Sequence, residues 1–449
     1  MILREVYSLK QRLEGKENLK RVLTNISWLF LDKVIRVGLN FLLTILIARY
    51  LGTNHFGLWN YTIAFVALFS ILSSLGLDNI VTKDLVNEEV SKNEILGAAF
   101  ILKLGGGFTA LLLSTICIYF IRLNEPLTLY LVLLTGAALI FQSFDVIDFY
   151  YQSKLQSKFT VYSRSFSFFI SALIKIAILF FKGPLILFVV ATLLEAVLSA
   201  GFFILVYTRS NGSVLNWKIR MPVLRKLLKD SYPLALSVML ILLYMRTDQI
   251  MLGTLIGDKA VGIFSAAVKL SEAWYFIPSI ITSSILPTLI KEKEVNQERY
   301  LKKLQQSFQL MAYLGILTAI VITFFSSYII DFLYGAEYAG AASILAVHTW
   351  TSVFVFLGFA SGNWFIVENL QKYVFYRTLA GACINISLNL VLIPRYGGFG
   401  AAIATLLSQF TASYFFNLFN NKTYPVFLMQ TKALYQVLVL RDLFNYLNK

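Results

Sequence analysis

Charged side chains interrupt several long apolar stretches of this 449-residue sequence, and they are the first candidates for binding chemistry. A charge at the centre of a bilayer costs about 2.5–3.5 kcal/mol on insertion scales, so we expect each one to bind a ligand or to pair with another charge. The first stretch holds Asp32, Lys33 and Arg36. Asp32 and Arg36 are four residues apart on one helix face and can neutralise each other. We expect at least one of Lys33 and Arg36 to face a cavity and bind an anionic ligand.

Three further pairs of opposite charge lie level with each other when consecutive apolar segments fold as antiparallel hairpins centred near residues 185 and 259. The pairs are Lys175 with Glu195, Arg246 with Glu272, and Asp248 with Lys269. This spacing predicts ion pairs between helices. The alternative is a switch, in which a carboxylate releases its partner to a substrate or to a coupling proton in a second arrangement of the helices.

Three more charged residues are candidate substrate contacts. Asp145 and Asp148 lie near the end of the fourth apolar segment, where a polar stripe does not face lipid. They suit sugar hydroxyl groups or a cation, and packing polarity near the membrane surface is the alternative. Arg246 is also expected to contact substrate if Glu272 does not neutralise it.

The elements that must position these charges are membrane helices. The chain is 58% hydrophobic and only 14% charged, with a mean hydropathy of +0.71, whereas soluble domains carry about 25% charged residues. Backbone that faces lipid must satisfy its own hydrogen bonds, which favours helices. The two cysteines lie far apart inside apolar runs, so no disulfide, metal site or cofactor is predicted. We predict twelve spans, at residues 24–47, 57–77, 97–121, 127–149, 161–181, 185–207, 232–256, 262–289, 307–330, 341–367, 372–393 and 398–419.

The positive charges predict the orientation of these spans. The net charge is +15, and 28 of the 39 Lys and Arg residues fall in the two terminal segments and the loops after even-numbered spans, when Arg164, Lys372 and Arg377 at the starts of their spans are counted with the adjacent loops, against five in the other loops. Because Lys and Arg mark the cytoplasmic side, both termini are predicted to be cytoplasmic, and nucleic acid is not an expected partner.

The same pattern predicts the organisation of the chain. Two basic amphipathic segments, the linker and the tail, suit helices that lie in the membrane interface, and a thirteenth span is the alternative for the tail. The predicted parts are an amphipathic segment at 1–23, a first lobe at 24–207, the linker at 208–231, a second lobe at 232–419 and the tail at 420–449.

The second half of the chain repeats features of the first half at nearly constant spacing. One register aligns Gly52 with Gly257 and Gly57 with Gly262, and a slightly longer one aligns Arg164 with Arg377 and ATLL at 191–194 with ATLL at 404–407. Each half has six spans, an even number, so the halves have the same orientation. This predicts a parallel repeat about an axis normal to the membrane.

The segment LIARYLGTNHFG at 46–57 separates the first two spans. Gly52 is expected to end the first helix in a conformation open to glycine, and Gly57 to let the second helix start close by. Arg49 lies in the last turn of the first helix, where it can meet the negative end of the helix dipole. We expect it to contact an anion at the outer mouth, and a simple interfacial anchor is the alternative.

Three stretches resemble the bacterial polysaccharide repeat-unit flippases of the O-antigen type, in the multidrug/oligosaccharidyl-lipid/polysaccharide exporter superfamily. They are IARYLGTNHFG, RTDQIMLGTLIGDKAVGIFSAAVKL and YGGFGAAIATLLSQ, in this order, and the resemblance covers essentially the whole chain. It implies an all-α membrane protein with two six-helix lobes around a central cavity. It also implies transfer of undecaprenyl-pyrophosphate-linked oligosaccharide from the cytoplasmic to the outer leaflet of the bacterial inner membrane by alternating access.

This resemblance implies a transporter rather than an enzyme. The implied partners are lipid-linked oligosaccharide and membrane lipid, and the pyrophosphate of the lipid is the anion that Lys33 or Arg36 would bind. Further expected partners are a coupling ion, H⁺ or Na⁺, a polysaccharide polymerase and a chain-length regulator. A cation-coupled multidrug or toxin antiporter of the same superfamily is the alternative, and a membrane polysaccharide polymerase is the third. Buried cations and anions are nearly equal in number, so the charge of the glycan is not predicted.

Overall fold

A computed structural model describes the backbone of residues 2–88 and 90–438, and the side chains of residues 34–88, 90–210, 212–236 and 238–437. Within these residues the chain forms α-helices and short 3-10 turns, and it has no β-strand. The predicted site residues Asp32 and Lys33 lie outside the described side chains.

Seven helices form the first half of the described chain. Gly52 has a φ of 70° and a non-helical backbone, so α1 consists of two helices joined at that residue, as predicted. Pro126 begins α4, where its missing N–H is not needed. The elements are α1 (Ile2–Ser74), α2 (Asp78–Asn87), α3 (Lys92–Ile121), α4 (Pro126–Phe141), a 3-10 turn (Gln142–Asp145), α5 (Val146–Ser153), α6 (Lys158–Phe180) and α7 (Leu185–Asn211).

Eight helices form the second half of the described chain. Gly257, which the repeat aligns with Gly52, also has a positive φ, at 119°, directly before α9. Gly397 has a φ of 55° and divides α14 in the same way that Gly52 divides α1. The helices are α8 (Met221–Leu255), α9 (Asp258–Glu272), α10 (Phe276–Val295), α11 (Gln297–Tyr334), α12 (Ala341–His348), α13 (Thr351–Val367), α14 (Gln371–Ser413) and α15 (Tyr424–Leu438).

Ten segments of the described chain are long and apolar enough to cross a membrane. Two of them, Val34–Asn87 and Gln371–Phe419, are 54 and 49 residues long, roughly twice what one span needs. These two contain Gly52 and Gly397, and dividing them there gives the twelve spans that hydropathy predicts. The chain is therefore an all-α multi-pass membrane protein, as expected.

The helices pack into two compact units, each with its own core. Unit 1 contains the chain up to Tyr50 and Phe65–Met239, and unit 2 contains Leu51–Ala64 and the chain from Leu240 onward. Compared with the predicted parts, the linker and residues 232–239 belong to unit 1. Leu51–Ala64, from the first repeat, and the described part of the tail belong to unit 2.

Aromatic rings and ion pairs hold the linker on unit 1. The ring centroid of Trp217 lies 5.4 Å from that of Phe100 and 5.7 Å from that of Tyr207, and the indole N–H donates to the Tyr207 hydroxyl at 3.3 Å. The linker has no separate helix at its end, because α8 runs without a break from Met221 into the seventh span. The ion pairs are Arg220–Glu94 at 3.1 Å and Lys226–Asp84 at 3.2 Å.

The described part of the tail is the helix α15, which packs on α11 in unit 2. Val426 and Ala433 are fully buried there, and the side-chain amide of Gln305 donates to the carbonyl oxygen of Met429 at 3.1 Å. The position of the tail in the membrane interface stays a prediction, as does the alternative of a thirteenth span.

Two glycines related by the repeat attach Leu51–Ala64 to the rest of unit 2. A Cβ atom on Gly57 would lie 1.7 Å from the carbonyl oxygen of Asp258, and a Cβ atom on Gly262 would lie 2.0 Å from the carbonyl oxygen of Thr53. The register that aligns the two glycines also aligns Thr53 with Asp258. The two helices thus cross in a reciprocal contact that only glycine allows. Gly57 lies inside its helix, so the contact explains it better than the expected role at the helix start.

A carboxylate from a distant loop caps the helix that begins after Gly52. The backbone N–H and the hydroxyl of Thr53 both donate to Oε1 of Glu337, at 2.8 and 2.7 Å. Glu337 lies in the 3-10 turn Ala336–Tyr338, between the spans of α11 and α12. The hydrogen bonds from the backbone and the hydroxyl of Thr53 lower the pKa of the Glu337 carboxyl from its ordinary value of 4.5, because they stabilise its charged form.

Gly57→Ala is expected to destabilise the purified protein, because the new methyl group would overlap the Asp258 carbonyl. Overpacking of this kind costs roughly 1–3 kcal/mol. Gly105→Ala in α3 is the matched control, since a Cβ atom there meets nothing within 4 Å. Melting temperatures in detergent measure the effect, and an unchanged value for Gly57→Ala would contradict the reciprocal contact.

Glu337→Gln is expected to lower the melting temperature near neutral pH and to lose this effect in acid. A carboxyl whose folded pKa is depressed stabilises the fold above its ordinary pKa and stops doing so as the pH falls through the folded value. Glu337 is exposed, so solvent screens its charge. We therefore expect Glu337→Gln to lower the free energy of unfolding by about 0.5–1 kcal/mol, at the low end of the range for helix N-caps. Melting curves of both proteins between pH 7 and pH 3.5 test this, and a constant gap across that range would rule out the carboxylate cap.

Candidate functional site

Unit 1 contains a polar cavity of about 380 Å³. Arg36 enters it from α1, and its expected binding of an anion stays a prediction. Asp145 enters from the 3-10 turn after α4, and Glu195 enters from α7. The polar lining includes Arg36, Gln142, Asp145, Arg164, Thr192 and Glu195.

An arginine that faces two carboxylates forms one wall of this cavity. The guanidinium of Arg164 lies 2.8 Å from Oδ2 of Asp148 and 3.5 Å from Oδ1 of Asp145. Asp148 is only 1% exposed and also accepts from the hydroxyl of Thr160 at 2.6 Å. Asp145 therefore faces the cavity, whereas Asp148 is buried behind it and positions Arg164.

The structure brings together one of the three predicted ion pairs. The ammonium of Lys175 lies 3.3 Å from Oε2 of Glu195, between α6 and α7. Lys175 is buried, and Glu195 also lines the cavity. Arg49, at the end of the first helix, is exposed and lines neither of the cavities described here, so its contact with an anion stays a prediction.

Unit 2 contains a second cavity, of about 270 Å³, lined by α8, α9 and α12–α14. Arg246 and Glu272 both line it, but no ion pair within 4.0 Å joins them. His348, in the wall, contacts the Ser271 hydroxyl through Nδ1 at 2.9 Å. The charged and polar lining includes Arg246, Asp248, Gln249, Glu272, Arg377 and Gln409.

Asp248 is the centre of a buried polar network in this cavity. Its Oδ1 accepts from the side-chain amides of Asn385 and Asn389, at 3.0 and 2.6 Å, and its Oδ2 accepts from the hydroxyl of Thr405. The carboxylate is 5% exposed, and these donors offset the cost of its burial. The side-chain oxygen of Asn389 is buried without a hydrogen-bond partner among the described residues. This cluster therefore offers oxygen atoms and one negative charge.

The predicted pairing of Asp248 with Lys269 is wrong. Lys269 instead lies over the ring of Phe56, with its ammonium 4.8 Å from the ring centroid. Asp248 turns toward α14 and Lys269 turns toward the second part of α1. Counting residues along two antiparallel helices predicts the height of each side chain along the helix axis. It does not predict the direction in which the side chain points.

Sequence reasoning missed two arginines, Arg164 and Arg377, because both lie near the starts of predicted spans and were counted with the adjacent cytoplasmic loops. The structure places Arg164 in α6 and Arg377 in α14, and both line cavities. The repeat contained the signal, because the register that matches the two ATLL segments also aligns these arginines. Among the described residues, no group of three His, Cys, Asp or Glu side chains could hold a metal ion.

Comparison with protein families finds two overlapping matches. Residues 22–291 match the model of the polysaccharide biosynthesis protein family, and residues 233–391 match the MatE model. The capsular polysaccharide biosynthesis protein CapF of Staphylococcus aureus is 22% identical over 401 residues, which cover 87% of this chain and 98% of CapF. The probable low-salt glycan biosynthesis flippase Agl15 of Haloferax volcanii is 22% identical over 385 residues, which cover 85% of this chain and 79% of Agl15.

Solved structures share the fold. The lipid II flippase MurJ, in an inward closed conformation, superposes with a TM-score of 0.70 at 16% identity, covering 93% of this chain and 92% of that one. An inward-facing multidrug resistance MATE family transporter of the MOP superfamily superposes with a TM-score of 0.69 at 14% identity, covering 92% and 98%. The chain therefore has the two-lobed fold of this superfamily.

Proposed function

Because the chain belongs to the polysaccharide biosynthesis protein family, we propose that it is a flippase for undecaprenyl-pyrophosphate-linked oligosaccharide. The match to CapF across 98% of that relative carries this proposal. The protein moves its cargo from the cytoplasmic to the outer leaflet of the bacterial inner membrane, for the synthesis of a surface polysaccharide. The excess of Lys and Arg on one side of the spans supports cytoplasmic termini.

The two cavities support a polar path for the head group of such a lipid. Sugar hydroxyls and a pyrophosphate cannot cross hydrocarbon without polar partners, whereas the polyprenyl chain can remain in lipid. In unit 1, Asp145, Gln142 and Glu195 suit sugar hydroxyls, and Arg36 suits the pyrophosphate because a guanidinium binds phosphate oxygens in bidentate fashion. Alternating access moves the two halves between inward-open and outward-open states around these groups.

Asp248 is our candidate for a coupling site. Its carboxylate, the Thr405 hydroxyl and the side-chain oxygen of Asn389 are hard oxygen ligands, and that Asn389 oxygen has no hydrogen-bond partner in the described structure. One carboxylate balances one positive charge, so a monovalent cation leaves no net charge buried, whereas a divalent cation does. We therefore favour Na⁺ over a divalent ion, with H⁺ on Asp248 as the alternative.

A cation-coupled drug antiporter is the second candidate function. The match of residues 233–391 to the MatE model favours it, since that region contains Asp248, Asn385 and Asn389. Drug resistance conferred on a sensitive host, with no effect on glycan display in a flippase-null strain, would distinguish it from a glycan flippase.

Arg36→Ala is expected to reduce glycan display at least tenfold when it replaces the wild type in a strain that lacks its own flippase, because the pyrophosphate loses its cation. Arg209→Ala, which removes an exposed arginine at the end of α7, is the control and should restore display. Immunoblots of membrane fractions verify equal protein levels. Normal display from Arg36→Ala would remove Arg36 from the proposed site.

Na⁺ is expected to raise the melting temperature of the purified wild type relative to K⁺ at equal ionic strength, and Asp248→Asn is expected to abolish this difference. At ten times its Kd, a bound ion stabilises the fold by about 1.4 kcal/mol. Glu195→Gln, which removes a carboxylate from the other cavity, should keep the response. A wild type that melts identically in both salts would exclude the sodium site and leave protonation of Asp248 as the coupling hypothesis.

A further inference from the structure

The repeat places two arginines in equivalent positions with different partners. These are Arg164 in unit 1 and Arg377 in unit 2. Arg164 contacts Asp148 at 2.8 Å and Asp145 at 3.5 Å. The register that aligns the arginines aligns those carboxylates with Ser361 and Gly358, and Arg377 donates to the hydroxyl of Ser361 at 2.7 Å and to the carbonyl oxygen of Gly358 at 3.4 Å.

In both halves the guanidinium therefore contacts residues at the same two aligned positions. Only in the first half are these residues carboxylates. In unit 1, one arginine faces two acids, so the cluster carries a formal charge of −1. In unit 2, neutral oxygens replace both acids, so the equivalent cluster carries a formal charge of +1. Unit 2 has the arginine but neither of its two counter-ions. This difference indicates that Arg377 has a role that Arg164 does not have.

Arg377 is well buried for a residue without a counter-ion. It is 8% exposed, whereas Arg164 is only half-buried. No carboxylate of the described residues lies within 4.0 Å of it, and its guanidinium carbon lies 4.8 Å from the ring centroid of Phe365. A buried cation held only by neutral groups and a ring face is costly, so it needs a negative partner from outside the chain.

The surroundings of Arg377 leave room for that partner. Arg377 lines the cavity of about 270 Å³ in unit 2, and the described residues accept from two of its five N–H groups. The other charged groups of this cavity are Arg246, Asp248 and Glu272. Asp248 is already bonded by two amides and a hydroxyl, so it does not neutralise Arg377. Gln409 and Tyr275 also line the cavity and suit the hydroxyl groups and ring faces of a sugar.

We propose that Arg377 forms an anion-binding subsite in unit 2 that takes an oxyanion, a carboxylate or a phosphate, of the transported molecule. This inference rests on the proposed flippase function and adds a specificity determinant to it. A carboxylate source is an acidic sugar of the repeat unit, and a phosphate source is the pyrophosphate of the lipid carrier. Both present two oxygens to the planar guanidinium fork.

Ser361→Asp is the sharpest test, because it restores in unit 2 the carboxylate that neutralises Arg164 in unit 1. Arg377→Gln removes the cation itself and is the independent second variant. Ser343→Asp is the matched control, since it adds the same charge at an exposed residue in the first turn of α12, outside the cavity. Gly358 is less suitable for substitution, because a Cβ atom there would lie 2.8 Å from the Ser413 hydroxyl.

The measurement is the melting temperature of each purified full-length protein during titration with sodium pyrophosphate or sodium glucuronate, with Na⁺ and ionic strength held constant. We expect saturable stabilisation of the wild type and of Ser343→Asp, and at least a tenfold loss of affinity in Ser361→Asp and Arg377→Gln. A response to pyrophosphate alone assigns the subsite to the lipid carrier, and a response to glucuronate assigns it to an acidic sugar. Absence of saturable binding to the wild type, or unchanged affinity in both variants, would overturn the proposal.

Glycan display by the wild type in a flippase-null strain separates this result from the proposed function. Restored display without anion binding would leave the flippase function in place and remove the Arg377 subsite. Anion binding without display would support the subsite and contradict the flippase function. Melting temperatures without probe establish that each variant is folded before its affinity is compared.

Discussion

The cost of placing charge among apolar helices is the constraint on which the rest of this structure depends. Hydrocarbon offers no hydrogen bonds, so each buried charge must find a partner in the chain or in a ligand. Unit 1 meets this requirement with ion pairs, in which Arg164 faces Asp145 and Asp148, and Lys175 faces Glu195. Unit 2 meets it mainly with neutral groups, because amides and hydroxyls surround Asp248 and a hydroxyl and a carbonyl hold Arg377. The two halves thus share a helical arrangement, but they differ in how many buried charges lack a counter-ion within the chain and can bind a ligand.

Small residues determine where the helices can approach closely enough to bring these groups together. Gly57 and Gly262 exchange backbone contacts that any side chain would block, and Gly52 and Gly257 allow the turns that precede those helices. The carboxylate of Glu337 then satisfies the first N–H after Gly52. These contacts make Leu51–Ala64 part of unit 2, although it belongs to the first repeat in sequence.

The sequence predicted the elements well and the side-chain partners unevenly. Hydropathy located the twelve spans, and the break at Gly52 was confirmed because only glycine readily adopts a φ of 70° in that turn. Hairpin spacing placed Lys175 beside Glu195 but failed for Asp248 and Lys269. Arg164 and Arg377 were counted with the adjacent loops because each lies near the start of its span. Their equivalence in the repeat was visible, but the loss of the carboxylates at Gly358 and Ser361 had no meaning until the contacts were known.

The sequence by itself determined what depends on composition and on distance along the chain: a helical membrane protein, the number of spans, the bias of charge between their ends, and the duplication of one half as the other. Tertiary structure alone decided which charges meet, which of them line a cavity and which segment joins which unit. The physical reason is that successive residues of a helix are rotated by about 100°. The height of a side chain therefore follows from counting residues, whereas its direction follows from how each helix is rotated against its neighbours, and that rotation is set by packing.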